Sequence, residues 1–324
     1  FIRRNKGKIV TQDVFGTCKL HENGTRSLNE AFGSIDWPIT WIEGQNRNGY
    51  NSCGTQLYVI SGAEVRPVSI EGRVVGGVYE DEDAVYCLLG GIIPSDVSKP
   101  RREQAAESFQ KIEFVLQSVG MSFGNIVRTW LYLDDILSWY DEFNKVRTAF
   151  FNEKKVFDGI VPASTGIGVG NPDGAAVVAD ALAIKPKTDR VQIHALPSPL
   201  QCPALDYGSS FSRAIEIVLP DIRRIYVSGT ASIEPDGKTA HIDDIEGQVC
   251  LTMEVVRAIL QSRDMDWSDV NRAIAYFKHW EDIPVLDCYC KQRGLSAVPI
   301  AVSHADICRD DLLFEIEVDA AKPV

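Results

Sequence analysis

Apolar positions recur along this chain at helical and strand spacings, and each series occurs twice. Ala105, Phe109, Ile112 and Leu116 mark one face of a helix, predicted over 101–119 with Gly120 as its left-handed cap. A continuous apolar run over 84–93, closed by Gly90, Gly91 and Pro94, predicts a strand buried on both faces. Strands follow at 126–133 and 175–184, with a helix at 137–152 between them. Pro186, Pro197, Pro199 and Pro203 then punctuate the chain. Beyond them the succession returns as strand 224–233, helix 243–263, strand 271–277, helix 283–293, and strands near Val298 and over 312–320.

The return is a duplication. At an offset of 144 residues (249 − 105), Ala105, Phe109, Ile112 and Leu116 fall on Val249, Met253, Val256 and Leu260. Met121, Phe123, Ile126, Arg128 and Tyr132 fall on Met265, Trp267, Val270, Arg272 and Tyr276 at the same offset. A second register, 137 (298 − 161), sets Val161 and Pro162 on Val298 and Pro299, and Asp180 on Glu317. Each copy reads as β-α-β-α-β with an added hairpin, an α+β unit whose mixed sheet carries two helices on one face. The expected division is 1–190, an N-terminal elaboration plus a degenerate copy, and 191–324, a copy that retains a site. Residues 1–80, rich in Gly and Asn with strand-like runs such as 56–60, form the elaboration.

Bulk properties narrow the function classes. The 324 residues, 45% hydrophobic and 24% charged, suffice for two ordinary cores. No run approaches the ~20 apolar residues of a membrane span, and residues 1–6 lack the apolar core of a signal peptide. A net charge of −12 repels phosphate backbones and disfavours nucleic acid as partner. The eight Cys sit mostly inside apolar runs such as 85–89, which points to buried free thiols and a cytoplasmic location. Cys288 and Cys290 lack the spacing of a zinc knuckle, so no metal is expected. His241, Asp243 and Asp244 stand where a helix begins, and an N-cap explains the aspartates. No phosphate-cradling loop or dinucleotide fingerprint is present, so no cofactor is expected.

Candidate chemistry gathers at the end of the chain. Alternation places Glu315 and Glu317 on one face of a strand whose neighbours are Phe314 and Ile316. Two readings are open: a solvated face, or a buried acid able to protonate an enol-ether or enamine carbon and then orient water. Arg309, six positions earlier, either pairs with Asp310 or Asp311 or holds a substrate carboxylate by a bidentate fork. Arg213 is either solvated or a second clamp.

Val227, Ser228, Gly229 and Thr230 on a strand, Gln248 on the following helix, then Pro299 and the strand 314–317, resemble the RidA/YjgF family of small imine deaminases, also described as endoribonuclease L-PSP-like. Segments 162–168, 207–214, 227–233 and 305–317 are similar to the two-domain branch of that superfamily, the chorismatases, which hydrolyse the enolpyruvyl ether of chorismate. The resemblance implies a cofactor-independent hydrolase acting on a small carboxylated metabolite. In it Glu315 is the acid/base, Arg309 and Arg213 bind carboxylate, and Tyr207, Gly229, Thr230 and Gln248 shape the pocket. It also implies a homo-oligomer, since RidA proteins are trimers with sites between subunits. Two departures stand out. The family Arg that follows the late Pro by two residues is replaced by Ser164 and Ala301, and the first copy has Val178 where the second has Glu315. An enamine or imine deaminase and a non-catalytic metabolite-binding or assembly protein remain alternative readings.

Overall fold

A computed structural model describes residue 2 and residues 4–44 and 52–324. The chain opens with β1 (Lys8–Gly16), α1 (His21–Phe32), β2 (Ile39–Ile42) and β3 (Ser52–Ile60), which form a small sheet ordered β2-β1-β3. The start of the region read as an elaboration is therefore a sheet with a crossover helix.

The first copy follows with β4 (Arg66–Ile70), β5 (Arg73–Glu80), β6 (Ala84–Ile92), α2 (Arg101–Ser118), β7 (Ile126–Leu133), α3 (Tyr140–Glu153), β8 (Ala163–Gly168) and β9 (Val177–Pro186). The second has β10 (Gln192–Leu196), β11 (Ala214–Val218), β12 (Ile222–Ala231), α4 (Ile245–Gln261), β13 (Val270–Phe277), α5 (Ile283–Arg293), β14 (Ile300–His304) and β15 (Phe314–Pro323). Their sheets have one topology, β4-β5-β6-β9-β7-β8 and β10-β11-β12-β15-β13-β14. The fold is thus a tandem of two α+β units of one topology, as the duplication predicts. β7 and β13 stand in the 144 register, and β9 and β15 in the 137 register. The hairpin β4–β5, inside the stretch read as elaboration, belongs to the first large sheet.

Each sheet buries its helices by the apolar stripe read from the sequence. Ala105, Phe109, Ile112 and Leu116 are at most 1% exposed, and Val249, Met253, Val256 and Leu260 are fully buried. Burial of such large side chains contributes about 2 kcal/mol apiece. Gly120 ends α2 at φ +74°, the left-handed conformation expected of it. Asp244 caps α4, its carboxylate accepting the Gly247 N–H at 3.0 Å.

The faces turned away from the helices pack on one another. The edge strand β8 runs against β12, the edge strand β14 meets β3, and β1 and β2 cover β6, so three sheets close a ring within one chain. Its interior holds Val10, Phe15 and Ile42 from the small sheet, Tyr86 and Tyr132 from the first copy, and Ile215, Tyr226 and Tyr276 from the second. Among the described residues no helix is long and apolar enough to cross a membrane.

Candidate active site

A bulge interrupts the first long strand of each copy. In the first copy it falls between Leu89 and Ile92, in the second between Val227 and Thr230, where each strand pairs with the last of its sheet. Their surroundings differ. In the first copy, β2 occupies the seam: Thr40 Oγ1 accepts the Gly91 N–H at 2.8 Å and donates to Asp180 at 2.8 and 2.9 Å. Burial, then the neighbouring Asp13, raises Asp180 well above the usual carboxylate range. This copy has Val178 where an acid would stand, and the added sheet fills the cleft.

The seam between β8 and β12 is open. It encloses a cavity of about 630 Å³ walled by α3 and β8 of the first copy and by β12, β15 and the loops before β11 and β15 of the second. Glu315, Arg309, Arg213, Tyr207 and Gly229 all line it. The solvated reading of the strand fails on burial. β15 lies between β12 and β13, Glu315 is 5% exposed, and Glu317 is fully buried. Gly229 lies beside Glu315, and a Cβ there would run into Glu315 Oε1, so a larger residue would displace the carboxyl from this position. Burial first, then the charge of Glu317, push Glu315 up to about 8, against the lowering influence of Arg128 and Arg213. The direction of the shift favours the protonated acid near neutral pH.

The cations are held as rigidly. Arg213 is buried, and its Nε and Nη2 donate to the Cys202 carbonyl at 3.0 and 2.8 Å. Arg309 Nη1 donates to the Gly237 carbonyl at 2.8 Å. Asp310 pairs instead with Lys278, and Asp311 accepts from Thr239, so the surface pair considered for Arg309 does not form. Both guanidiniums sit 5.4 Å from the centre of the Tyr207 ring, which they flank as cation–π partners.

Two expected pocket residues lie elsewhere. Thr230 alternates away from the cavity, and its hydroxyl donates to the Ser228 carbonyl at 2.9 Å. Gln248 is fully buried at the start of α4, where its Nε2 donates to the carbonyls of His241 and Asp311 and its Oε1 accepts the Leu313 N–H. Gln104, its counterpart at the 144 offset, does the same, donating to Val97 and Lys99 and accepting from Ala176. The glutamine of each copy ties the last strand's approach to a helix, and neither lines the cavity between the copies.

Sequence reasoning missed the first copy's contribution. Arg147 of α3 is 2% exposed and lines the cavity, with Phe143 and Phe211 beneath its guanidinium. Its Nη2 donates to Asn144, while its Nε is buried with no hydrogen-bond partner. The available signal was an arginine on the apolar stripe that carries Phe143, Phe150 and Phe151. Ser164, at the place of the lost family arginine, also lines the cavity; Ala301 does not. Tyr140 and Cys308 complete this wall, and burial raises the Cys308 thiol to about 12. Among the described residues, no group of three or more His, Cys, Asp or Glu side chains could hold a metal.

The architecture is that of a duplicated α+β protein with one open seam. Residues 82–184 match the Endoribonuclease L-PSP family. The chain is 28% identical over 222 residues to a chorismatase of Streptomyces rapamycinicus, a match covering 61% of this chain and 64% of that relative's length. It is 24% identical over 270 residues to a 3-hydroxybenzoate synthase of Streptomyces hygroscopicus, covering 74% and 75%. A chorismatase crystal structure superimposes with a TM-score of 0.73 at 20% identity over 96% of this chain and 92% of the other. These likenesses support a two-domain, chorismatase-like member of the RidA/YjgF superfamily.

Proposed function

We propose that the protein is a cofactor-independent hydrolase that cleaves the enolpyruvyl ether of chorismate or a close analogue in the cavity between its two copies. The observation that carries this reading is a buried carboxyl, Glu315, raised by its burial and lining one cavity with three guanidiniums, Arg147, Arg213 and Arg309. A substrate with two carboxylates uses such a set, and the volume lies in the range of small-ligand sites. The relatives named as chorismatases support the choice of substrate.

The chemistry follows from the acid. Glu315 delivers its proton to the terminal CH₂ carbon of the enol ether, and the ether carbon becomes an oxocarbenium ion. Water adds to that carbon and gives its proton back to the Glu315 carboxylate. The hemiketal collapses to pyruvate and the ring alcohol, so that one water is consumed and no oxidant is needed. A donor whose acidity is matched to neutral pH suits this step, and guanidiniums fix the carboxylates while the carbon is protonated.

Incubation of the protein with chorismate is expected to release pyruvate, and Glu315→Gln to lower kcat at least about 100-fold. Absence of pyruvate, or release of ammonia from an imino acid in its place, would overturn the proposal.

A further inference from the structure

Behind the cavity, the duplication has set two equivalent cations on one carboxylate. Glu317 lies on the same face of β15 as Glu315 and is fully buried. Arg128 Nη2 stands 2.9 Å from its Oε2, Arg272 Nη2 2.8 Å from its Oε1, and Trp130 Nε1 donates to Oε1 at 3.0 Å. Arg128 and Arg272 are counterparts in the 144 register, so each copy sends the same residue to the same acid. Arg128 also donates to Thr165 Oγ1 at 2.5 Å, and that oxygen accepts the N–H of Gly229 at 3.0 Å. The network thus ends at the glycine beside which Glu315 sits.

We propose that Glu317 is a positioning residue that keeps Glu315 in its acid form, and that the paired arginines serve this by fixing the negative charge on Glu317. Two carboxyls on one buried face share their titration, and the better-paired one takes the charge. Burial alone would raise Glu317, but Arg272 and Arg128 outweigh it and hold the group below its ordinary range. With that charge in place, ionisation of Glu315 meets repulsion. Without it, Arg128 would face Glu315 unopposed and draw out its proton.

The other groups around Glu315 do not supply this effect. From β13 comes Tyr276, from α3 Tyr140, and from the loop before β15 Cys308; burial raises all three, so they are neutral near pH 7. Arg213, ahead of β11, lowers Glu315, and the remaining cavity cations, Lys145, Arg147 and Arg309, carry the same sign. The other acid on the cavity wall, Asp141, is exposed to solvent at the start of α3.

The inference rests on the reading of Glu315 as the acid, and its test reads the proton directly. The carboxyl infrared band of Glu315, isolated as the difference between the protein and its Glu315→Gln variant, is followed against pH. Its midpoint is expected near 8 in the native protein. In a Glu317→Gln background it is expected to fall by about one unit or more. Glu317→Gln leaves two arginines with less counter-charge. If it does not fold, Glu317→Gln combined with Arg272→Gln removes one charge of each sign and is expected to show the same fall. An unchanged midpoint in the folded variant would overturn the proposal. A lowered midpoint in a protein that releases no pyruvate would leave it standing and remove only the hydrolase reading.

Discussion

A carboxyl held neutral at pH 7 burdens the folded state, because the unfolded chain ionises the same group freely. Glu315 titrates near 4.5 when unfolded and about 8 when folded, so its contribution falls as pH rises between those values. Glu315→Gln is therefore expected to be inactive yet more stable near neutrality. The expected gain is on the order of 3 kcal/mol at about pH 7 and vanishes below about pH 4.5. Urea unfolding at both ends of that range measures it, and a variant of unchanged stability at pH 7 would contradict the burial assigned to this side chain. At this scale the sequence was informative where alternation decides orientation. Glu315 and Glu317 between Phe314 and Ile316 share a face, and the core lies on both sides of a central strand. It was misleading where a polar side chain serves the backbone: Thr230 and Gln248 have residue types suited to a ligand, and only coordinates show their partners. Arg147 escaped because an arginine among phenylalanines passes for a break in a stripe.

The two glutamines show how an element is fastened. Gln248 satisfies two carbonyls and one N–H at the entry to β15, and Gln104 does so at the entry to β9. Gln248→Leu is expected to leave those groups unpaired and lower stability by about 3 kcal/mol, while the pH profile of any turnover keeps its midpoints. Thermal unfolding and a rate profile together check this; loss of ligand affinity without loss of stability would return Gln248 to the pocket. Long periodic elements were legible, and β7, α5 and both duplication registers stand as read. Elements without a clear apolar period were not. β8 has the sequence ASTGIG, with no apolar alternation, and β5 is broken by Gly76 and Gly77. The seven-residue difference between registers (144 − 137) falls between β7 and β8, where α3 has 14 residues against 11 in α5. The longer helix is the one that walls the cavity.

At the scale of the molecule, three sheets complete a ring that the resemblance would assign to three subunits. The small sheet covers the seam at Asp180 and meets the edge strand β14, so the faces that would call for partner chains are already packed. The protein is expected to sediment as a single chain of about 36 kDa at concentrations up to the micromolar range, where a stable oligomer would otherwise assemble. A species of three times that mass would show that the ring does not satisfy the chain. The ring itself was not legible in residues 1–80, because pairing between distant segments leaves no local periodicity to read.

The plugged seam beside Thr40 has a last consequence. An assembly of identical subunits inscribes every mutation at all of its junctions together, so a change that improves one pocket also disturbs the packing that holds the others. Here one junction can drift toward a new ligand while its neighbours, built from different residues, go on bearing the mechanical load.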